Sequence, residues 1–313
     1  MKTSQNTHVL KPNHKNMWKQ LKRDKLLYLL LAPAVISVLF FQYLPLPGLL
    51  IAFKEYDIFL GFNSPWVGLA NIYNIFNLPM FQKAIFNTIK VSVLSLSICF
   101  PAPIIFALLL NELKNGLFKR TVQTISYLPH FLSWISVVGM VYSFYSKYGL
   151  ANDILISIFG PNTTRELFLT KQALFIPNII VLDVWKSLGW SSIIYLAALS
   201  SVDLSLYEAA YIDGAGKFKQ MLHVTLPSIA PTIIIMLLFR LSSIFQSNFE
   251  LIYGLQNSFI DYEVISTIVY KYGITRGEYS MATAFGFMEG AVSLILVIIV
   301  NKISKKVMQT SIL

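Results

Sequence analysis

Three short patterns in the sequence contain residue types found in catalytic or ligand-binding motifs, but each lacks part of what its motif requires. The run DGAGK at residues 213–217 resembles a phosphate-binding loop, but Tyr211 and Phe218 stand where that loop needs a glycine and a hydroxyl residue. The acidic pair at 261–263 falls in a predicted external loop, where we expect solvated surface. Neither the scattered histidines nor the single cysteine forms a metal-ligand pattern: His8, His14, His130, His223 and Cys99. We therefore predict no catalytic residue, metal site or cofactor site in this chain.

Charged residues inside long apolar runs are the second kind of chemical candidate. An ionisable group at membrane depth is costly and usually faces a cavity or a partner. Asp183 and Lys186 are three residues apart on one helix face, so they could pair with each other. The six charges comprise three acids and three bases, which allows either mutual neutralisation or the lining of a polar pathway: Lys90, Asp183, Lys186, Arg240, Glu250 and Glu289.

The apolar runs that carry these charges predict a membrane protein. The chain has 313 residues, of which 55% are hydrophobic and 13% charged, about half the charged fraction of a soluble domain. A helix needs about 20 apolar residues to cross a bilayer. Six runs are long enough: residues 26–53, 91–111, 121–146, about 173–200, about 228–254 and about 280–301. We predict an all-α bundle of six transmembrane helices.

The distribution of basic residues predicts the orientation of this bundle. With a cytoplasmic N-terminus, 15 of the 25 Lys and Arg residues fall in cytoplasmic segments and 7 in the opposite loops. Both termini are then cytoplasmic, with a basic tail at 1–25, a membrane domain at 26–302 and a short tail at 303–313. The net charge of +10 is thus a topological signal, and we expect contact with the lipid bilayer and no nucleic acid partner.

The cytoplasmic loop at 203–227 has the features of two short helices separated by a break. Ser205 and Glu208 have the spacing of a capping box, and Gly214 and Gly216 favour a helix end. A second helical stripe precedes Pro227. Such a rigid, partly apolar element on the cytoplasmic face would suit docking of a partner protein. The alternative is that Glu208 only caps its helix and Gly214 only ends it.

This loop resembles the EAA loop of permease subunits in binding-protein-dependent ABC importers. Glu208-Ala209-Ala210 is followed after three residues by Gly214 and after nine more by Val224-Thr225-Leu226-Pro227, with valine where isoleucine is usual. Further similarity to the permeases for oligosaccharides and polysaccharide fragments lies at residues 43–45, 48, 52–54, 64–68, 127–131, 185–190 and 195–198. The first 20 or so residues have no such likeness.

The resemblance implies a permease of the bacterial plasma membrane that works with several partners. These are a second permease subunit, two cytoplasmic ATPase subunits that bind the ATP, and an extracytoplasmic solute-binding protein. The residues implied to couple the loop to an ATPase are Glu208, Ala209, Ala210, Asp213, Gly214, Leu226 and Pro227. The chain itself would be a transport subunit and not an enzyme.

The resemblance also makes the charged residues in the spans candidates for a sugar pathway. Trp185 and Trp190 could stack on sugar rings or lie at the membrane interface, where tryptophan is enriched. Lys186 and Arg240 would suit an acidic sugar. The alternative functions are an ABC permease for a non-sugar solute and a secondary transporter that uses the acids in the spans. The full set of pathway candidates is Asp183, Trp185, Lys186, Trp190, Arg240, Glu250 and Glu289.

Overall fold

The fold is helical throughout the part of the chain that the computed structural model describes, residues 23–244 and 248–308. Those residues form no strand beyond one isolated bridge between Lys54 and Trp66. The all-α prediction is therefore confirmed, whereas most of the predicted 1–25 tail lies outside the described residues. We number the α-helices as α1 Lys25–Val38, α2 Ala70–Phe76, α3 Pro79–Ile98, α4 Pro101–Glu112, α5 Leu117–Tyr127, α6 Trp134–Phe144, α7 Leu150–Phe159, α8 Gln172–Ser200, α9 Leu204–Ile212, α10 Lys217–Gln220, α11 Leu226–Ser242, α12 Phe249–Leu255, α13 Ile265–Tyr270 and α14 Tyr279–Met308.

The chain divides into two units, residues 1–50 and 51–313. The described part of the first unit is mainly α1, which contains Pro33 and continues through a π-helical turn at Leu39–Tyr43. This helical run reaches Phe53 and is apolar enough to cross a membrane. Its leucines are largely exposed, as expected of side chains that face lipid.

The second unit contains the other spans. Four further helical stretches are long and apolar enough to cross a bilayer. They are Pro79–Glu112 (α3 with α4), Gln172–Ser200 (α8), Lys217–Ser242 (α10 through α11) and Tyr279–Ile299 (within α14). A sixth span exists if α5 and α6 are counted as one, but the two helices meet at an angle of 100°. The predicted run at 121–146 is therefore divided between two helices at this bend. Extended backbone at Leu132 ends the first piece, and the Ser133 hydroxyl accepts a hydrogen bond from the Ser136 amide to start the second.

The predicted span at about 228–254 was wrong in its second half. Helix α11 ends at Ser242, and α12 is a separate helix of seven residues. The side chain of Asn248 accepts a hydrogen bond of 3.2 Å from the Leu251 amide, which begins α12 as an independent helix. Hydropathy cannot detect this break, because apolar residues continue on both sides of it.

Three apolar clusters hold the second unit together. One joins α2, α3, α13 and α14 through residues such as Phe81 and Phe285. Another joins α6, α8 and α12, and a third joins α4, α8 and α11 around Tyr195 and Ile229. Helices α5 and α8 cross so closely that a β-carbon on Gly189 would overlap the carbonyl oxygen of Ser126.

Contacts between loops agree with the predicted grouping of the loops into two ends. At one end Lys83 forms an ion pair with Asp261, and Asn87 donates to the carbonyl of Glu263 over 2.8 Å. At the other end Lys217 lies 3.4 Å from Glu112. These contacts show which loops share an end but not which end is cytoplasmic, so the orientation stays a prediction.

The segment at 261–263 is less exposed than the sequence analysis predicted. Asp261 is solvated, but Tyr262 is buried against Phe175, and burial raises the pKa of its hydroxyl to about 12. Glu263 forms an ion pair with Lys271 and accepts a hydrogen bond from Thr267. The prediction of plain solvated surface was therefore wrong for two of the three residues, because long-range packing covers them.

Candidate functional site

The first candidate site is the segment 203–227, which begins with a helix cap that differs from the predicted one. The Asp203 carboxylate accepts a hydrogen bond of 2.9 Å from the Ser205 amide, so Asp203 is the N-cap of α9 and Ser205 lies inside the helix. The predicted capping box of Ser205 and Glu208 was wrong. Hydrogen bonding to Ser205 lowers the pKa of the Asp203 carboxyl. Glu208 therefore has no capping role.

The break after α9 is at the predicted glycine. Gly214 has a φ of +74°, a conformation that L residues with a side chain rarely adopt. Its amide donates to the Tyr211 carbonyl, and the Ala215 amide donates to the Ala210 carbonyl. This pair of bonds is the Schellman arrangement that closes a helix and reverses the chain. Gly214 thereby sets the angle between α9 and α10.

The outer surface of α9 is largely apolar and carries two carboxylates, Glu208 and, at the end of the helix, Asp213. Tyr211 and Ile212 are 76% and 84% exposed, and Phe218 on α10 is 68% exposed. Glu208 is exposed, and no residue in the described part of the chain forms a hydrogen bond or ion pair with its carboxylate. A surface of this kind, largely apolar with few charges, is typical of an interaction site.

The inner surface of the same segment is fixed to the spans. The hydroxyls of Tyr207 and Thr225 lie 3.0 Å apart and join α9 to the start of α11. Met221 and Leu226 pack against the cluster of α4, α8 and α11, and the Lys217–Glu112 ion pair adds a link to α4. Of the predicted coupling residues, Leu226 lies in this inner contact, whereas these are at or near the outer surface: Glu208, Ala209, Ala210, Asp213, Gly214 and Pro227.

The second candidate site is a cavity of about 260 Å³ among α3, α8 and α11, with the turn after α5. Asp183 on α8 lies 3.6 Å from Arg240 on α11, measured between Oδ2 and Nη2. The Ser95 hydroxyl on α3 connects them, since it accepts a hydrogen bond from Arg240 and donates one of 3.3 Å to Asp183. One network therefore ties three spans together inside the membrane domain.

Lys186 lies in the same cavity but takes no part in that network. Its ammonium donates to the His130 carbonyl over 3.2 Å and lies 4.7 Å from the centre of the Trp134 ring. The possible pairing of Asp183 with Lys186 is therefore not formed. The two side chains diverge, because Asp183 is directed to α3 and α11 whereas Lys186 is directed to the α5–α6 bend.

A second cavity, of about 290 Å³, lies next to the first and shares the ion pair with it. Its other lining residues include Cys99, Tyr195 and Met236. Along α8, the lining of the two cavities runs from Ile179 to Tyr195. These 16 residue steps span about 24 Å at 1.5 Å per residue, most of the thickness of a bilayer's hydrocarbon core.

The two tryptophans of α8 lie outside the cavity that holds Lys186. Trp185 is 43% exposed, and Trp190 is 45% exposed. Trp190 stacks on His130 with ring centres 4.3 Å apart and contacts Phe131 edge to face. The structure thus gives Trp190 a packing partner at the α5–α6 bend, and it brings neither ring to the charged cavity.

The remaining acids of the predicted pathway are separated from Asp183. Glu250 is exposed in the first turn of α12. Glu289 lies on α14 and lines a different cavity, of about 680 Å³, together with Ser242, Phe249 and Gly290. The three acids therefore do not form one site.

Sequence reasoning missed the residues that complete the charged cavity. Ser95 bridges the ion pair, and His130 and Trp134 hold Lys186. His130 belongs to the segment at 127–131, yet nothing in its local pattern indicated a partner 56 residues away. The backbone carbonyl that His130 contributes has no sequence signature at all.

Comparison with known proteins identifies the family. Residues 99–309 match the family described as binding-protein-dependent transport system inner membrane component. The chain is 43% identical to protein LplB of Bacillus subtilis strain 168 over 290 residues, which covers 91% of this chain and 90% of LplB. It is 41% identical to the polygalacturonan/rhamnogalacturonan transport system permease protein YteP of the same strain, covering 95% of this chain and 92% of YteP.

A solved structure shows the same architecture. The bacterial alginate ABC transporter, in complex with its alginate pentasaccharide-bound periplasmic protein, contains a chain of 38% identity that superimposes with a TM-score of 0.85. The match covers 94% of this chain and 99% of that chain. This protein is therefore a multi-pass membrane permease that belongs to the family of inner-membrane components of binding-protein-dependent ABC importers.

Proposed function

We propose that this chain is the transmembrane permease subunit of an ATP-driven importer of oligosaccharides or polysaccharide fragments. The two features that support it are the two-sided segment 203–227 and the polar cavities along α8. The relative named for polygalacturonan and rhamnogalacturonan transport and the structure of the alginate transporter support a sugar as the cargo.

The observation that carries the proposal is the contrast between the two surfaces of segment 203–227. Its outer surface exposes Tyr211, Ile212 and the unpaired Glu208, while its inner surface packs against the cluster formed by three spans, α4, α8 and α11. A partner that grips the outer surface would move the segment as a rigid body, because Gly214 and the Tyr207–Thr225 contact fix its internal geometry. We infer that this partner is a cytoplasmic ATPase subunit.

Movement of this segment would reach the charged cavity directly. Helix α8 ends three residues before α9, and α11 begins at the end of the segment. These two helices carry Asp183 and Arg240, the two ends of the ion pair. A tilt of α8 relative to α11 would therefore change the Asp183–Arg240 contact, which lies where the two cavities meet. A switch between inward-open and outward-open states requires such a change.

The proposal includes the partners that the chain lacks. A second permease subunit would complete the pathway, two ATPase subunits would bind and hydrolyse ATP, and an extracytoplasmic binding protein would deliver the sugar. The residues of this chain itself would bind no cofactor. Within the chain we propose that the pathway follows Asp183, Lys186 and Arg240.

Reconstitution of the complete importer in vesicles tests this function. We expect uptake of labelled oligosaccharide only when this chain, the second permease, the ATPase and the binding protein are all present with ATP. An ion gradient without ATP should give no uptake. Uptake by the chain without an ATPase would contradict the proposal.

A further inference from the structure

The charged cavity contains one positive charge that the protein does not neutralise. Asp183, Lys186 and Arg240 are its charged lining residues. Asp183 lies in contact with Arg240 and with the Ser95 that Arg240 also contacts. Lys186 contacts a carbonyl and an aromatic ring, and no carboxylate lies within 4 Å of it in the described part of the chain. The cavity thus has a formal charge of +1.

The ammonium of Lys186 has unused hydrogen-bonding capacity. An ammonium has three N–H donors, and one of them is used by the His130 carbonyl. The Trp134 ring stabilises the positive charge from one side but offers no hydrogen-bond acceptor. The remaining donors lie in a cavity that the side chains of Ser92, Ser187 and Asn248 also line.

An unneutralised ammonium within a membrane domain is costly, so this position favours an anion that enters and leaves. We propose that Lys186 is a specificity-determining residue that binds the carboxylate of a uronate unit in a passing oligosaccharide. This inference rests on the proposed function as a sugar importer. Arg240, although also cationic, is assigned to the ion pair with Asp183 and not to the sugar.

The size of the cavity agrees with one sugar ring. At about 260 Å³ it is somewhat smaller than the pockets of about 300 Å³ or more that enclose drug-sized ligands. One pyranose ring with its carboxylate at Lys186 could therefore enter while the rest of the chain lies outside. Ser92, Ser187 and Asn248 would offer hydrogen bonds to ring hydroxyls.

The test compares a charged and a neutral cargo in the complete reconstituted importer. Trigalacturonate and its fully methyl-esterified form differ in charge but share the same rings. For Lys186→Gln we expect uptake of trigalacturonate to fall at least about tenfold, the loss that follows from about 1.4 kcal/mol of a charge-assisted hydrogen bond. Uptake of the ester should change less than about twofold, and Lys186→Arg should retain the preference for the charged form.

Lys90→Gln is the matched control, because Lys90 is an exposed cation on a neighbouring span that does not line the cavity. It should leave the ratio of charged to neutral uptake unchanged. An equal loss of both cargoes in Lys186→Gln would contradict the proposal and assign Lys186 a structural role, for example pairing with an acid of the second permease. No change in either cargo would contradict it as well.

The wild-type importer separates this inference from the proposed function. ATP-dependent uptake of the ester without uptake of trigalacturonate would overturn the inference and leave the sugar importer intact. Uptake of neither form, alongside ATP-dependent uptake of another oligosaccharide, would also overturn only the inference, whereas no ATP-dependent uptake of any oligosaccharide would overturn both.

Discussion

Segment 203–227 and the charged cavity differ in whether their functional groups have partners within the chain. The segment leaves Glu208 unpaired and Ile212 exposed at the protein's surface. The cavity places Asp183 and Arg240 in contact through Ser95 and holds Lys186 against a carbonyl and a ring. The difference agrees with our proposal that another protein covers the segment, whereas the chain itself supplies most of the contacts in the cavity.

Rigidity is common to both regions, but its source differs. In the segment it comes mainly from backbone geometry, the Schellman bonds at Gly214, with one side-chain contact between Tyr207 and Thr225. In the cavity it comes from side chains on three helices. A backbone change should therefore affect the segment most, and a change of charge should affect the cavity most.

The largest effect is expected from Gly214→Pro, which attacks the backbone of the segment. Proline requires a φ near −65°, against the observed +74°, and the mismatch should cost about 3 kcal/mol or more. If the chain relieves this strain by changing the angle between α9 and α10, uptake should fall by roughly a hundredfold. Vesicle uptake at equal protein incorporation is the measurement.

Gly216→Ala is the control for that variant, because Gly216 has a φ of −68° and open space where a β-carbon would be. It should transport as wild type. Normal uptake by Gly214→Pro would show that the geometry of the break does not matter for coupling.

Glu208→Ala should have the next largest effect. It removes an unpaired carboxylate of the outer surface, and loss of a charge-assisted hydrogen bond to a partner should reduce uptake by about tenfold. The chain itself should be equally stable, since the Glu208 carboxylate forms no hydrogen bond or ion pair within the described part of the chain. Uptake and thermal unfolding are to be measured together.

Glu55→Ala, an exposed glutamate at the end of the first apolar run, provides the comparison for Glu208→Ala. It should change neither quantity. A stability loss in Glu208→Ala comparable to its transport loss would mean that Glu208 acts within the chain.

Asp183→Asn should affect the cavity through stability and transport together. It leaves Arg240 without its carboxylate partner, which for a fully buried pair costs about 3–5 kcal/mol. Because the Arg240 side chain is 42% exposed, we expect about 1–2 kcal/mol. The double variant Asp183→Asn with Arg240→Gln should recover part of this loss. Additive losses in that cycle of thermal unfolding measurements would show that the two residues do not interact.

The smallest effect is expected at the cap of α9. Asp203→Ala removes the cap and should reduce uptake less than Glu208→Ala does. Asp203→Asn should retain the cap and therefore the uptake. The lowered pKa of Asp203 means that its capping contribution is fully present above its ordinary pKa and is lost as pH falls through the lowered value. Uptake at neutral pH should therefore show the full effect of Asp203→Ala. A loss equal to that of Glu208→Ala would contradict this order.

Local features of the two regions were predictable from the sequence. The helix break at Gly214 and the apolar spans were predicted because they depend on residue type and near neighbours. The capping residue was misassigned because two acceptors, Asp203 and Ser205, stand close together at the start of α9, and only the backbone conformation selects between them.

Long-range features were not predictable in the same way. The partner of Asp183 lies on another helix, and the Ser95 that bridges the pair is 88 residues from one member and 145 from the other. The bend between α5 and α6 and the separate start of α12 each depend on a first helical turn, capped by the side chains of Ser133 and Asn248. Hydropathy averages over such turns and therefore predicts continuous helices.

The most direct test of the proposed coupling role measures whether an ATPase covers the outer surface of segment 203–227. Ile212→Cys, in a Cys99→Ser background, places one reactive thiol on the outer surface of α9, and Phe59→Cys places one on a residue that is 94% exposed elsewhere. Maleimide labelling is compared in membranes with and without the ATPase subunits. Our account predicts that the ATPase protects Cys at 212 and not at 59. Equal labelling at 212 in both membranes would contradict it.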